Sequence, residues 1–125
     1  MSTKKILLVD DEVDLVEIIR FALEKKDFTV LISHDGEDAL KQARKESPDL
    51  ILLDIMLPKL DGYKVCRLLK FDERYKHIPI LMLTARAQEG SEILGMEVGA
   101  DEYITKPFEM DELVAKVESY METKE

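Results

Sequence analysis

Carboxylate, hydroxyl and ammonium side chains follow the short apolar segments that the sequence predicts as strands. Asp10 and Asp11 follow the first segment, Asp54 the third, Thr84 the fourth and Lys106 the fifth. Two like charges about 4 Å apart repel by about 4 kcal/mol at an effective dielectric of about 20, so gathered carboxylates need a proton or a cation. Mg²⁺ prefers such oxygen ligands, and an ammonium and a hydroxyl suit a phosphoryl group. The residue types therefore predict a site where an aspartate accepts a phosphoryl group.

The elements that would position these side chains alternate along the chain. The predicted strands are residues 5–9, 28–33, 49–53, 79–83 and 102–105. The predicted helices are residues 13–26, 36–45, 63–71, 88–98 and 109–121, and Asp35 is a predicted N-cap. This alternation predicts an α/β fold with a five-stranded parallel sheet covered by helices on both faces. Ligands of such sheets bind beyond the carboxyl ends of the strands, which is where the polar side chains fall.

The predicted helix over residues 88–98 is the weakest of the set. Gly90, Gly95 and Gly99 lie in it or beside it, and an interior glycine costs about 1 kcal/mol relative to alanine. Two interpretations stay open: an ordinary surface helix, or an element held loosely enough to shift.

Length and composition limit the function classes. The 125 residues fit one domain, 1–125, without a visible linker or further domain. The net charge is −9, from 18 basic and 27 acidic residues, and the scattered basic residues argue against direct nucleic-acid binding. No apolar run approaches the roughly 20 residues of a membrane span. With a single cysteine, Cys66, these features lead us to expect a cytoplasmic protein that does not bind membranes.

The sequence closely resembles the receiver domains of bacterial response regulators over essentially its whole length. The matching segments are residues 6–12, 48–58, 61–62, 79–85 and 99–108. The resemblance implies a doubly wound, flavodoxin-like sheet of strand order 2-1-3-4-5 with five helices. It also implies a phosphorylation-driven switch in two-component signalling, which is not a multiple-turnover enzyme on an external substrate.

The resemblance assigns roles at the acidic site. Asp54 would accept a phosphoryl group from a phosphohistidine on a sensor histidine kinase or phosphotransfer protein. Mg²⁺, with Mn²⁺ as an alternative, would bind to Asp11, Asp54 and the backbone carbonyl of Met56. Asp10 would help to hold the ion through water.

The resemblance also assigns the switching residues. Lys106 would pair with Asp54 or its phosphate, Thr84 would move to bond a phosphoryl oxygen, and Tyr103 would turn inward. The Lys106–Pro107 bond would be cis. The output would be a changed surface formed by residues 88–98, the fifth strand and the last helix, which would act on a downstream protein or output domain. A homodimer through this surface, using Asp101, Glu102 and Lys116, is an open alternative.

Plainer interpretations accompany these roles. Asp10 and Asp11 could simply cap the first helix, and Tyr103 could be a half-buried aromatic of an edge strand. Three rival functions are a phosphohydrolase of the haloacid-dehalogenase type, a flavodoxin-like flavin carrier, and a receiver that no longer accepts phosphate. The sequence names neither the kinase, the signal nor the target, and does not separate a stand-alone regulator from a module of a longer protein.

Overall fold

Five strands form one parallel sheet in the computed structural model, which describes residues 3–85 and 99–122. The strands are β1 (Lys5–Val9), β2 (Thr29–Ser33), β3 (Leu50–Asp54), β4 (Ile80–Ala85) and β5 (Glu102–Lys106). Their order is β2-β1-β3-β4-β5, and each neighbouring pair is parallel. The predicted fold class and strand order are confirmed.

Four helices lie within the described residues. They are α1 (Val13–Glu24), α2 (Gly36–Glu46), α3 (Gly62–Lys70) and the C-terminal helix α4 (Met110–Glu122). The helix predicted over residues 88–98 lies outside the described residues. No helix in the described part of the chain combines the length and the apolar character that a membrane crossing requires.

Alternate residues of the buried strands supply two separate cores. Leu7 and Val9 of β1 pack on one face of the sheet with residues of α2 and α3. Ile6 and Leu8 pack on the other face with residues of α1 and the C-terminal helix. This period of two is the reason why the strands read as continuously apolar, since both faces of the sheet are covered.

Aspartate side chains cap two of the four described helices. The side chain of Asp35 accepts a hydrogen bond from the Asp38 N–H at 2.7 Å, which confirms the predicted cap of α2. The side chain of Asp61 does the same for α3 with the Lys64 N–H at 3.0 Å. The N-cap of α1 is Glu12, so the interpretation of Asp10 and Asp11 as its caps is wrong.

Candidate functional site

The register of the sheet brings the polar strand ends together. Val9 of β1 lies beside Leu53 of β3, so Asp10 and Asp54, the next residue of each chain segment, leave the same edge. Thr84 of β4 pairs with Thr105 of β5, the residue before Lys106. The carboxyl edge of the sheet therefore carries the predicted side chains, as the strand-end rule requires.

Three aspartates form the acidic half of the site. Asp10, Asp11 and Asp54 each offer a carboxylate oxygen, and these oxygens all lie within 4.8 Å of one another. Asp10 and Asp54 are buried, whereas Asp11 is exposed. A donor set made only of carboxylate oxygens, two of them desolvated and close enough to share an ion, fits a hard cation such as Mg²⁺.

Burial and crowding alter the acidity of Asp54. Burial first, and then the nearby charge of Asp10, raise the pKa of Asp54 from 3.8 to about 6. Attraction to Lys106 and a hydrogen bond from the backbone of Met56 act in the opposite direction but do not outweigh the first two causes. Ionised Asp54 therefore lowers the stability of the folded, metal-free protein.

Lys106 supplies the positive charge of the site. Its Nζ lies 3.0 Å from Asp10 Oδ2, 3.0 Å from Glu12 Oε1 and 3.5 Å from Asp54 Oδ1. Burial opposes the charged form of this lysine, but the hydrogen bonds to Asp10 and Glu12 and the charge of Asp54 outweigh it and raise the pKa of Lys106. Lys106 is therefore a permanent cation at physiological pH.

Asp10 is held on both of its carboxylate oxygens. Its Oδ1 accepts the Glu12 N–H at 2.9 Å, and its Oδ2 accepts a hydrogen bond from Lys106 at 3.0 Å. Its backbone carbonyl lies 3.0 Å from Nδ1 of His34. Asp10 thus orders the loop after β1.

The segment after β3 packs tightly behind Asp54. The N–H of Gly62 donates to the carbonyl of Ile55 at 2.9 Å, so the helix α3 starts directly behind the strand end. A methyl group on Gly62 would overlap the backbone carbonyl of Asp54, which is why this position needs glycine. Met56, the next residue but one after Asp54, has an exposed side chain beside a cleft that Asp11 also lines.

Thr84 and Tyr103 occupy neighbouring strands at the other side of the site. Thr84 is buried, and Tyr103 is half-buried and packs against the core beneath α2 and α3. The peptide bond between Lys106 and Pro107 is cis. The segment after β4 that would respond to Thr84 falls mainly on residues 86–98, outside the described residues.

One functional contact was missed by reasoning from the sequence. No role was predicted from the sequence for Glu12, the third acid of the Asp10-Asp11-Glu12 run, yet its carboxylate accepts a hydrogen bond from Lys106, which lies 94 residues away in the chain. The available signal was the acidic run itself, because a third carboxylate at the end of β1 needs a cation as much as the first two do.

Fold and site together define a class of protein: the receivers of two-component signalling, in which aspartates and a lysine meet at the carboxyl edge of a 2-1-3-4-5 sheet. The family model described as "Response regulator receiver domain" matches residues 6–118, and the chain belongs to this family. Membership excludes the haloacid-dehalogenase and flavin-carrier alternatives, and receivers are not multiple-turnover enzymes.

Known proteins similar to this chain agree with the family. The chain is 48% identical over 122 residues to the alkaline phosphatase synthesis transcriptional regulatory protein PhoP of Bacillus subtilis, covering 98% of this chain and 50% of the relative. It thus spans about half the length of that curated relative. A putative response regulator from Chloroflexus aurantiacus has a TM-score of 0.91 at 36% identity, covering 97% of this chain and 99% of the other.

A second solved structure carries a metal. It is the receiver domain of a sensor histidine kinase from Pseudomonas aeruginosa, with a magnesium ion coordinated in the active site cleft. Its TM-score is 0.88 at 31% identity, covering 97% of this chain and 99% of the other.

Proposed function

We propose that this chain is a phosphorylation-driven switch in which Asp54 accepts a phosphoryl group from a phosphohistidine of a sensor histidine kinase or a phosphotransfer protein. The observation that carries the proposal is the convergence of three aspartate oxygens within 4.8 Å, with a lysine ammonium 3.5 Å from Asp54. Structural ion pairs alone do not account for this arrangement, because among the described residues Lys106 faces more negative charge than one ammonium can neutralise.

Mg²⁺, or Mn²⁺ in its place, fits the oxygen donors. Asp11 and Asp54 would hold the ion through their side chains, and the backbone carbonyl of Met56 would be a third ligand. Asp10 would act through water, which agrees with the hydrogen bonds that both of its oxygens already accept. The bound ion would supply positive charge beside the transferred group.

The transfer step uses groups that face one another at this edge. A carboxylate oxygen of Asp54 forms the new O–P bond, while the N–P bond of the phosphohistidine breaks and the imidazole nitrogen keeps the electron pair. A pKa of about 6 leaves most of Asp54 ionised at neutral pH and therefore nucleophilic. Lys106 is placed to neutralise charge on the phosphoryl oxygens.

The switch follows from the charge that phosphorylation adds. A phosphoryl group brings about −1.5 to −2 charge and three acceptor oxygens to the site. Changing a two-state population from 1:99 to 99:1 needs about 5.5 kcal/mol, and two charge-assisted hydrogen bonds of about 1.5–3 kcal/mol each supply much of this. Lys106 and Thr84 would form these bonds, Tyr103 would turn inward, and the surface of residues 88–98, β5 and the C-terminal helix would change.

That surface would act on a downstream protein or on an output domain of a longer chain, as the length of the Bacillus relative suggests. A homodimer through this surface would have to replace ion pairs that Asp101, Glu102 and Lys116 make within the chain by ion pairs between two chains. Lys116 pairs with Glu102 at 3.0 Å, and Asp101 pairs with Lys70 at 2.8 Å.

Incubation with acetyl phosphate and Mg²⁺, followed by intact mass measurement, tests the proposal. We expect one phosphoryl adduct on the wild type, none after chelation with EDTA and none on Asp54→Asn. Asp14→Asn, which removes an exposed carboxylate from the start of α1, is the matched control and should label as the wild type does. An adduct that persists on Asp54→Asn, or its absence from the wild type, would refute the assignment.

A further inference from the structure

Glu12 occupies a capping position without acting as a cap. It is the N-cap of α1, where a side chain normally accepts a hydrogen bond from the first turn, yet its side chain makes no such bond. Its carboxylate instead lies 3.0 Å from Lys106 Nζ at the far side of the site. The Glu12 side chain therefore pairs with Lys106 and does not cap α1.

Three carboxylates compete for the hydrogen-bond donors of the Lys106 ammonium. The ammonium is closer to Asp10 and Glu12, at 3.0 Å each, than to Asp54 at 3.5 Å. An ammonium has three donors, and here they face three carboxylates. A phosphoryl group on Asp54 would need at least one of these donors, and the partner most easily given up is Glu12, which is exposed, whereas Asp10 is fully buried.

We propose that Glu12 is a positioning residue that engages one donor of the Lys106 ammonium in the resting protein and must release it when Asp54 carries a phosphoryl group. The inference rests on the proposed function, because it concerns the same site. Glu12 stabilises the resting state and competes with phosphoryl oxygens for one lysine donor, so it lowers the population of the phosphorylated arrangement. Removal of this contact should free one Lys106 donor for a phosphoryl group on Asp54.

Binding of beryllium trifluoride, a tetrahedral phosphoryl analogue, tests the inference at equilibrium and without group transfer. The dissociation constant would be measured by NMR titration at saturating Mg²⁺ for the wild type, Glu12→Gln and Glu12→Asp. Glu12→Asp keeps the charge but withdraws the carboxylate by about 1.5 Å, roughly one C–C bond. We expect both variants to bind the analogue about twofold to fivefold more tightly, the range for an exposed ion pair. Asp14→Asn, a charge control on the first turn of α1, should change the affinity by less than either variant.

The results for the two variants distinguish the Glu12–Lys106 contact from an effect of overall charge and from a structural role of Glu12. Tighter binding by Glu12→Gln but not by Glu12→Asp would assign the effect to overall charge and overturn the inference, as would unchanged or weaker binding by both variants. A structural role at the helix start would weaken binding rather than tighten it. If the wild type bound no analogue with Mg²⁺ present, the proposed function itself would fail, and the inference with it.

Discussion

Replacing Asp54 with asparagine should raise the free energy of unfolding of the metal-free protein by about 3 kcal/mol near neutral pH. The physical reason is the pKa of Asp54, which burial and the charge of Asp10 raise from 3.8 to about 6. Each factor of ten in a protonation equilibrium corresponds to about 1.4 kcal/mol, so ionised Asp54 costs the fold about 3 kcal/mol. Asparagine has the same shape and carries no charge.

The sign of the pH dependence follows from the same pKa. Between about pH 4 and pH 6 the folded protein keeps the Asp54 proton that the unfolded chain has lost, so this residue makes stability fall as the pH rises through that window. The advantage of Asp54→Asn should therefore shrink to about 1 kcal/mol at a pH of about 4.5.

Urea denaturation in EDTA at both pH values measures this difference, with Asp14→Asn as the control for loss of an exposed carboxylate. Equal stability of wild type and Asp54→Asn at neutral pH would contradict the description of Asp54 as a strained carboxylate. Saturating Mg²⁺ should reduce the difference in free energy of unfolding between the wild type and Asp54→Asn, because a bound cation relieves the repulsion between Asp54 and Asp10.

Replacing Lys106 with methionine should have the opposite effect on stability. Asp10 is fully buried and accepts a hydrogen bond from Lys106, so the variant leaves a buried carboxylate beside Asp54 without its cation. Breaking a buried ion pair from one side costs about 3–5 kcal/mol, and the 19% exposure of the lysine reduces the expected loss to about 2–4 kcal/mol. Phosphorylation by acetyl phosphate should also become slower.

A double-variant comparison gives this prediction a sharper form. The loss caused by Lys106→Met should be smaller in the Asp54→Asn background, because one of the two buried carboxylates that lose their cation is then replaced by a neutral amide. Lys45→Met, at an exposed lysine of α2, serves as the control for removal of a surface charge. Losses of equal size for Lys106→Met and Lys45→Met would show that Lys106 is not the counter-charge of the site.

The sequence predicted the position of the site well because parallel strands end at one edge. The predicted ends of β3, β4 and β5 were too early in the chain. Strand β4 was predicted to end at residue 83 but continues two residues further, to Ala85, and β3 and β5 each end one residue later than predicted, at Asp54 and Lys106. Polar residues after an apolar segment suggest the start of a loop. In the structure the pairing of β4 with β5 continues through them, since Thr84 pairs with Thr105 and Ala85 with Lys106.

Two features could not be predicted from local pattern. The plainer interpretation made Asp10 and Asp11 caps of α1, because aspartate is a preferred cap. In the structure Asp10 turns its side chain to the Glu12 N–H and to Lys106, so the helix begins with Glu12 as its N-cap. The Glu12–Lys106 pair depends on where β5 falls relative to β1, which only the assembled sheet determines.

Mapping of the phosphorylated residue tests the central claim most directly. Borohydride reduces an acyl phosphate to an alcohol, so treatment of the acetyl phosphate-labelled wild type should convert the modified aspartate to homoserine. Peptide sequencing by tandem mass spectrometry should find homoserine at Asp54 and aspartate at Asp10 and Asp11. Homoserine at Asp10 or Asp11, or at an acid outside the site, would contradict the account of Asp54 as the phosphoryl acceptor.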